Sequence, residues 1–357
     1  MTIRQENHEW FRKRLGEKLS GKRFPLNGTF ELTRACNFHC KHCYLQGTQS
    51  AEKEMSCTAV TNILDQLAEA GCLGLSFTGG EPLLRPDFAD ILKHALGKGF
   101  LVAVFSNASL IDEKLADLLA ANPPRCIEVT LYGGDEKSYQ AITGSSRNFL
   151  RTLAGIDHLL KRGLKVVLKA VLLAPLVSQA EKMRKLASQR GLGLRFDPGI
   201  DPTLTGDQAP LALRPDPDIA IAIELADTER VDKLEKYDRQ FSQKNVCDND
   251  FSCGAGFSSF NIDPLGRLMP CLLLREPAVN IALSGFSSGW KQLAEARRPS
   301  YPADSACRQC DLTHLCGYCP GLARLGDSPP KDRSGYHCQV TQARANTLRQ
   351  NSARKTA

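Results

Sequence analysis

Short apolar runs alternate with amphipathic stretches along the first 200 residues. Six runs rich in β-branched and aromatic residues have the length of strands and begin near residues 29, 74, 100, 126, 165 and 192: TFELT, GLSFT, FLVAVFS, CIEVTLY, KVVLKAV and LGLRFD. Four stretches between them show helical spacing, and three of these end in Gly: TAVTNILDQLAEAG, PDFADILKHALGKG, DEKLADLLAAN and FLRTLAGIDHLLKRG. This alternation predicts a parallel sheet, either an incomplete barrel or an open doubly wound sheet, with a site at the carboxyl ends of the strands.

The alternation ends near Pro198, and the composition then changes. DPGIDPTLTGDQAPLALRPDPD is rich in Pro, Asp and Gly, which is typical of a linker, and one helix is predicted near residues 216–237. From Cys247 onward the pattern predicts a loop-rich region that depends on metal rather than on a large apolar core. We divide the chain into an N-terminal segment, a core, a linker with a bridging helix, a cysteine-rich domain and a basic tail: 1–28, 29–200, 201–246, 247–340 and 341–357.

Composition and charge exclude several classes of protein. No apolar run approaches the roughly 20 residues of a membrane-spanning helix, and MTIRQENHEWFRKRLGEKLSGKR lacks the apolar stretch of a secretory signal. We therefore expect a cytoplasmic protein without a membrane partner. Lys and Arg outnumber Asp and Glu 46 to 39, but the net charge of +7 is spread along the chain, so nucleic acid is not an expected partner. Fourteen cysteines without a signal sequence indicate metal or redox chemistry rather than disulfides.

Three of the cysteines fall within ACNFHCKHCY, directly after the first predicted strand. Three residues separate Cys36 from Cys40, and two separate Cys40 from Cys43. Three thiols can hold three corners of a [4Fe–4S] cubane and leave the fourth iron open to a substrate or cofactor. A zinc site completed by His39 or His42, or reduced structural thiols, would also fit these residues.

This loop resembles the signature of the radical S-adenosylmethionine (SAM) family, in which an aromatic or similar residue precedes the last cysteine. That residue here is His42. The resemblance extends to FTGGEP at the end of the second predicted strand, where Gly79, Gly80 and Glu81 match the family's segment that binds the methionine amino group of SAM. A GGEP segment by itself could be any tight turn, but the two motifs follow consecutive predicted strands.

Two further segments resemble the family less strongly. Asn107 in SNASLI follows the third predicted strand, where relatives orient SAM, and Thr130 in TLYG ends the fourth, where relatives place a polar group near the ribose. The resemblance implies a partial (β/α)6 TIM barrel of the α/β class. It also implies that a reduced [4Fe–4S] cluster passes one electron to SAM, which gives methionine and a 5′-deoxyadenosyl radical that abstracts hydrogen from a substrate. An electron donor such as flavodoxin or ferredoxin would be needed.

Eight further cysteines begin at Cys247. Their order resembles the SPASM extension of radical SAM enzymes, a small loop-rich C-terminal iron–sulfur domain with two auxiliary [4Fe–4S] clusters. The resemblance assigns four cysteines to each, first Cys247, Cys253, Cys271 and Cys319, and then Cys307, Cys310, Cys316 and Cys338. The family usually has three residues between the last two cysteines of the CxxC group, whereas only Gly317 and Tyr318 separate Cys316 from Cys319 here. This departure puts the assignment of Cys319 to the first auxiliary cluster in doubt. From spacing alone, a zinc ribbon built from CRQC and CGYC stays open.

The implied cofactors are therefore three [4Fe–4S] clusters and SAM. Three cysteines outside the motifs are predicted to be small core residues: Cys57, Cys72 and Cys126. The sequence indicates no general base, and the polar residues near plausible loops are Asp197, Tyr132 and His314.

The resemblance leaves the substrate open among a ribosomally made peptide, a sulfatase whose Cys or Ser becomes formylglycine, and a tetrapyrrole or other small molecule. Relatives that form formylglycine place an acidic base directly after the third ligand of the first auxiliary cluster, whereas Leu272 follows Cys271 here. We favour a peptide, whose acidic leader the mild positive charge would attract. Only 28 residues precede the first predicted strand, so a separate leader-binding protein is expected. An iron–sulfur or zinc protein for electron transfer or scaffolding is the non-enzymatic alternative, but it would have no use for the GGEP turn.

Overall fold

One mixed sheet forms the centre of the protein. The computed structural model describes residues 14–46, 48, 52–242, 253–295, 305–326 and 334–356. Within these ranges nine strands hydrogen-bond in the order β6-β5-β4-β3-β2-β1-β7-β8-β9. Their bounds are β1 (Asn27–Thr33), β2 (Gly74–Gly79), β3 (Leu101–Ser106), β4 (Cys126–Thr130), β5 (Val166–Val171), β6 (Leu194–Asp197), β7 (Ser259–Ile262), β8 (Arg267–Met269) and β9 (Val279–Asn280).

The first six strands confirm the predicted α/β fold. Each of the first five pairs in parallel with the next strand of the chain, and all six begin within two residues of their predicted starts. The sheet stays open, because β6 and β9 lie at its two edges. The order from β1 to β6 runs in one direction without the reversal of a doubly wound sheet, so the sheet is a partial barrel whose six parallel strands end at the same edge.

Short polar residues determine where several helices begin. Ser56 accepts the backbone N–H of Ala59, and Asp112 accepts that of Leu115, as N-capping side chains do. The helices between and after the barrel strands are α1 (Cys57–Glu69), α2 (Phe88–Gly97), α3 (Glu113–Ala121), α4 (Glu136–Thr143), α5 (Arg147–Lys161), α6 (Ala180–Ser188), α7 (Pro217–Glu224) and α8 (Thr228–Phe241). The C-terminal part contributes α9 (Ile281–Ser284), α10 (Phe286–Glu295), α11 (Pro320–Arg324) and α12 (Tyr336–Thr356).

The region near residues 216–237, predicted as one helix, contains two. Asp216 accepts the N–H groups at the start of α7, and Asp227 accepts the N–H of Arg230 at the start of α8. Each aspartate caps a helix of its own, so the chain turns between them. The prediction of a single helix was therefore wrong.

The cysteine-rich region is built onto the barrel sheet. β7 pairs in parallel with β1, and Asn261 of β7 donates to the buried Glu31 of β1 at 2.7 Å. Arg275 forms an ion pair with the same carboxylate at 2.9 Å. The region predicted to be loop-rich thus contains three strands and also α10, whose Phe286 and Trp290 pack on Phe260. This packing places the segment after Cys271 beside the barrel.

The C-terminal helix α12 covers most of the segment set apart above as a tail. It packs against α7 and α8, and its Arg344 bonds the buried Glu224 at 2.7 Å. A carboxylate that is fully buried needs such a partner, so the ion pair fixes the helix in place. Cys72 belongs to the main apolar core, Cys126 is buried, and Cys57 is half-buried at the start of α1. None of the described helices combines the length and the apolar character needed to cross a membrane.

Candidate functional site

A cavity of about 950 Å³ lies at the carboxyl ends of the barrel strands. This volume is at the upper end of the range for small-molecule sites. Eight of the residues predicted from sequence line it: Cys36, Cys40, Cys43, His42, Gly79, Gly80, Asn107 and Thr130. The structure therefore brings the cysteine loop and the ends of β2, β3 and β4 together around one space.

The three cysteines of the first loop are held by backbone hydrogen bonds. The loop is bonded to α4 through His39 N and Lys41 N, and the N–H of Phe38 donates to the sulfur of Cys36 at 3.4 Å. Cys36 is exposed at its surface, but desolvation by the surrounding protein raises the pKa of its thiol to about 11, and burial raises the pKa values of Cys40 and Cys43 as well. A charge on Cys36 or Cys43 would further raise the pKa of Cys40, so the three sulfurs lie within electrostatic reach of one another.

These thiols fit a group of high positive charge. A buried thiolate is costly unless a cation stabilises it, and metal binding deprotonates cysteine ligands outright. Within the described ranges no three Cys, His, Asp or Glu side chains are arranged around a single ion. A [4Fe–4S] cluster, for which three cysteine ligands leave one iron open, is the group that the resemblance implies for this loop.

An aromatic wall borders the loop. The His42 ring lies 5.8 Å from that of Tyr132, which also meets Phe38 and Tyr139 edge to face. Burial lowers the pKa of His42 to about 4 and raises that of Tyr132 well above 10, so both side chains are neutral near pH 7. A phenol that keeps its proton is a poor general base.

The two other polar candidates do not line the cavity. His314 Nε2 is 2.7 Å from Asp238 Oδ1 of α8, in the C-terminal part. Asp197 is exposed at the end of β6, where its carboxylate accepts the N–H of Gly199. Among the three polar side chains considered from sequence, only Tyr132 borders the site.

The Gly-Gly turn lies directly against the cysteine loop. Gly79 has φ +125°, in the region that favours glycine, and a Cβ there would meet the carbonyl oxygen of Thr33. The N–H of Gly80 donates to that oxygen at 2.8 Å, and the N–H of Glu81 donates to Ala35 at 2.8 Å. The close backbone contact requires glycine at both positions and couples the turn to the loop that carries the thiols.

Glu81 does not line the cavity. Its side chain is fully buried and accepts the hydroxyl of Ser106 at 2.9 Å, the N–H of Asn107 at 2.7 Å and the N–H of Leu83 at 3.2 Å. Burial raises its pKa to about 7, although these donors act in the opposite direction. In this arrangement Glu81 orients the end of β3. The contact of the Gly-Gly-Glu segment with the amino group of SAM, which the resemblance implies, stays a prediction.

Asn107 continues the connection back to the cysteine loop. Its amide donates to Asn37 at 2.9 Å, and Asn37 donates to Ser109 at 2.8 Å. Glu81, Asn107 and Asn37 thus connect three loops. Sequence reasoning missed Asn37 and Ser109, although Asn37 lies inside the cysteine motif and Ser109 inside SNASLI.

We expect Glu81→Gln to loosen the end of β3. The carboxylate accepts from Ser106 with one oxygen and from Asn107 with the other, whereas glutamine has a single oxygen. The NH₂ group of glutamine would then face the backbone N–H of Asn107, and this unsatisfied buried donor would cost about 1–3 kcal/mol. Hydrogen exchange should show faster exchange of the Asn107 amide, with the amide of Val102, deeper in β3, as an internal control. Unchanged exchange together with weaker SAM binding would instead mean that Glu81 contacts SAM directly.

Lys169 was also missed. It lies on β5, lines the cavity and is the register partner of Thr130. The sequence carried a weak signal, since VVLKAV of β5 has Lys169 as its one charged residue among apolar ones.

The second group of cysteines is partly described, and Cys247 lies outside the described residues. Burial raises the pKa of Cys319, and charges on Cys271 and Cys253 would raise it further, so these three sulfurs lie near one another. Cys307 and Cys316 border an apolar cluster around Tyr318, and Cys310 and Cys338 are half-buried. Leu272, directly after Cys271, lies on the cavity wall. The cysteine-rich region therefore contributes to the cavity.

Comparisons with known proteins agree with this geometry. Residues 30–186 match the family model described as Radical SAM superfamily. The chain is 25% identical over 316 residues to the antilisterial bacteriocin subtilosin biosynthesis protein AlbA of Bacillus subtilis, across 83% of this chain and 67% of AlbA. It is 23% identical over 317 residues to the AdoMet-dependent heme synthase of Methanosarcina barkeri, across 82% of this chain and 90% of that protein.

A solved structure has the same fold. The crystal structure of Streptococcus suis SuiB bound to precursor peptide SuiA superposes with a TM-score of 0.66 at 18% identity, and it covers 88% of this chain and 76% of SuiB. At this identity the likeness establishes a shared fold over 88% of this chain.

Proposed function

We propose that this protein, whose residues 30–186 match the Radical SAM superfamily model, is an enzyme that cleaves SAM reductively to a 5′-deoxyadenosyl radical and abstracts hydrogen from a ribosomally synthesised peptide. Crosslinking, epimerisation or another maturation of that peptide would follow. The observation that carries the proposal is that three thiols and the Gly-Gly turn line the same cavity.

The residues that line the cavity would have different roles in this reaction. Cys36, Cys40 and Cys43 would hold a [4Fe–4S] cluster, which when bound supplies the electron that SAM cleavage needs. The backbone of Gly79 and Gly80 would receive the methionine end of SAM. The three cofactor-contacting side chains would be His42, Asn107 and Thr130. The cavity walls exclude water and hold one substrate C–H bond within reach, which is the protein's main contribution to such chemistry.

We also propose two auxiliary [4Fe–4S] clusters, which makes three in all. The nearness of Cys253, Cys271 and Cys319 supports the first auxiliary set, which Cys247 would complete. The other set would be Cys307, Cys310, Cys316 and Cys338. No described cysteine forms a disulfide, which suits a reducing cytoplasmic location.

Two observations favour a peptide substrate. AlbA is named for bacteriocin biosynthesis, and the fold of SuiB is seen with a precursor peptide. Leu272 places an apolar side chain on the cavity wall directly after Cys271, where formylglycine formation would require a base. A separate leader-binding protein and a flavodoxin or ferredoxin as electron donor would complete the system.

The second candidate is a tetrapyrrole substrate. Its support is the similarity to the heme synthase, which extends over 90% of that protein. A tetrapyrrole would have to occupy the same cavity beside SAM. Titration of the reconstituted enzyme with an iron coproporphyrin separates the candidates, because a shift of the porphyrin absorption band would favour this one.

Anaerobic reconstitution tests the proposed function. We expect about twelve iron atoms per chain, as three cubanes require, and formation of 5′-deoxyadenosine when the reduced enzyme receives SAM. Omission of the reductant is the control and should give none. Iron in the expected amount without any 5′-deoxyadenosine would identify the chain as an electron carrier instead.

A further inference from the structure

A lysine ammonium group is exposed to the barrel cavity. The Nζ atom of Lys169 lies 3.3 Å from Oε2 of Glu128 and 3.9 Å from the centre of the Phe105 ring. Its side chain is 23% exposed, in a wall that is otherwise formed on this side by Thr130, Phe105 and Val171. A charge in such a wall is expensive unless it has a partner or a function.

The acidic neighbours of Lys169 lie on the same face of the sheet, outside the lining of the cavity. Glu128 Oε2 is shared with Arg195, whose guanidinium lies 4.0 Å away. Asp197 lies near enough to act on Lys169 electrostatically, but its carboxylate caps Gly199. Glu128, Arg195 and Asp197 do not line the cavity, whereas Lys169 does. The space inside the barrel therefore meets the positive member of this group.

The Lys169 ammonium has more N–H donors than its contact with Glu128 uses. It carries three N–H donors, of which one is directed at Glu128 and the aromatic face takes part of the remaining charge. Burial lowers the pKa of Lys169, which Glu128 partly offsets. A bound anion would replace the water contacts that the Lys169 ammonium loses on burial in the cavity wall.

We propose that Lys169 binds a carboxylate group of the substrate inside the barrel, so that the enzyme selects a substrate with an acidic group near the position that is modified. This inference rests on the proposed function. On a peptide, the carboxylate would belong to an acidic side chain or to the C-terminus. The ion pair would form at one side of the cavity and orient the substrate toward the SAM site.

SAM also has a carboxylate, but the layout places it elsewhere. The proposed methionine site is at Gly79 and Gly80, where β2 ends, whereas Lys169 is on β5. Three strand spacings of about 4.8 Å separate these strands, which is roughly 14 Å along the sheet. Lys169 is also beyond Thr130, the proposed ribose contact. The substrate carboxylate is therefore the better partner.

Three small probes of matched shape test the proposal on the reconstituted holoenzyme with SAM. N-acetylglutamine amide is neutral, N-acetylglutamate α-amide has a side-chain acid, and N-acetylglutamine has a terminal acid. Dissociation constants from saturation-transfer NMR should favour at least one acid over the neutral probe by about tenfold, the size of one charge-assisted hydrogen bond. The acid that binds more tightly identifies the source of the carboxylate.

Substitutions then assign the preference to Lys169. In Lys169→Met the acids and the neutral probe should bind equally, whereas Lys169→Arg should keep the preference. Glu128→Gln, which removes the competing carboxylate, should increase it. SAM affinity should be unchanged in Lys169→Met.

Three results would overturn the inference: no acid preference in the unmodified enzyme, a preference that survives in Lys169→Met, or a tenfold loss of SAM affinity in that variant. The last result would assign Lys169 to the carboxylate of SAM. Formation of 5′-deoxyadenosine without probe, measured on the same samples, keeps a failure here separate from a failure of the proposed function.

Discussion

Replacing Cys36 by alanine is expected to abolish 5′-deoxyadenosine formation and to remove about four iron atoms per chain. The thiol is one of three that would hold the cluster, and two cysteines do not retain a cubane that needs three protein ligands. Cys36 is exposed, so its loss removes no core packing and the fold should persist. Iron analysis and chromatography of the reaction products measure both effects.

Cys57→Ala is the matched control. Cys57 is half-buried at the start of α1, outside every motif, so the variant should keep its iron and its activity. Cys40→Ala and Cys43→Ala should behave as Cys36→Ala does, although the buried Cys40 should also lose some packing energy. Normal 5′-deoxyadenosine formation by Cys36→Ala would contradict the assignment of the cluster to this loop.

The barrel strands could be predicted because their pattern is local. Each is a short run of β-branched and aromatic residues bounded by turn residues, because a strand that is buried on both faces needs apolar side chains at nearly every position. Helices α4 and α12 were missed for the opposite reason. EKSYQAIT is only eight residues long, with Tyr139 and Ile142 as its large apolar residues. The polar sequence of α12 shows no clear apolar stripe, and this helix is held by an ion pair between Arg344 and Glu224, residues 120 positions apart.

The positions of the candidate site were predictable, but the directions of its side chains were not. Spacing placed the cysteines and the Gly-Gly turn after successive strands, and parallel strands then brought them together. Whether Glu81 faces the cavity depends on Ser106 and Asn107, which arrive from the next strand. The exposure of Lys169 to the cavity depends likewise on Glu128. The directions of these side chains depend on tertiary contacts, which a local sequence pattern does not encode.

Replacing Gly80 by alanine is expected to reduce SAM affinity at least tenfold and to destabilise the fold by about 1–3 kcal/mol, as overpacking does. A Cβ at this position would clash with the carbonyl oxygen of Ala35, and it would lie 2.6 Å from the carbonyl carbon of Ala35 and 2.8 Å from the oxygen of Arg34. These are backbone atoms, which cannot turn aside as a flexible side chain can. The turn and the cysteine loop would have to separate, which breaks the hydrogen bond from Glu81 N to Ala35 O.

Gly97→Ala provides the control for this substitution. Gly97 is the last residue of α2, and a Cβ there would meet nothing within 4 Å. Alanine favours the helical state, so this variant should be as stable as the parent or gain about 0.5 kcal/mol, with unchanged SAM affinity. Equilibrium dialysis with SAM and urea unfolding compare the two variants directly. Equal SAM affinity in Gly80→Ala and Gly97→Ala would mean that close contact between the turn and the cysteine loop does not shape the SAM site.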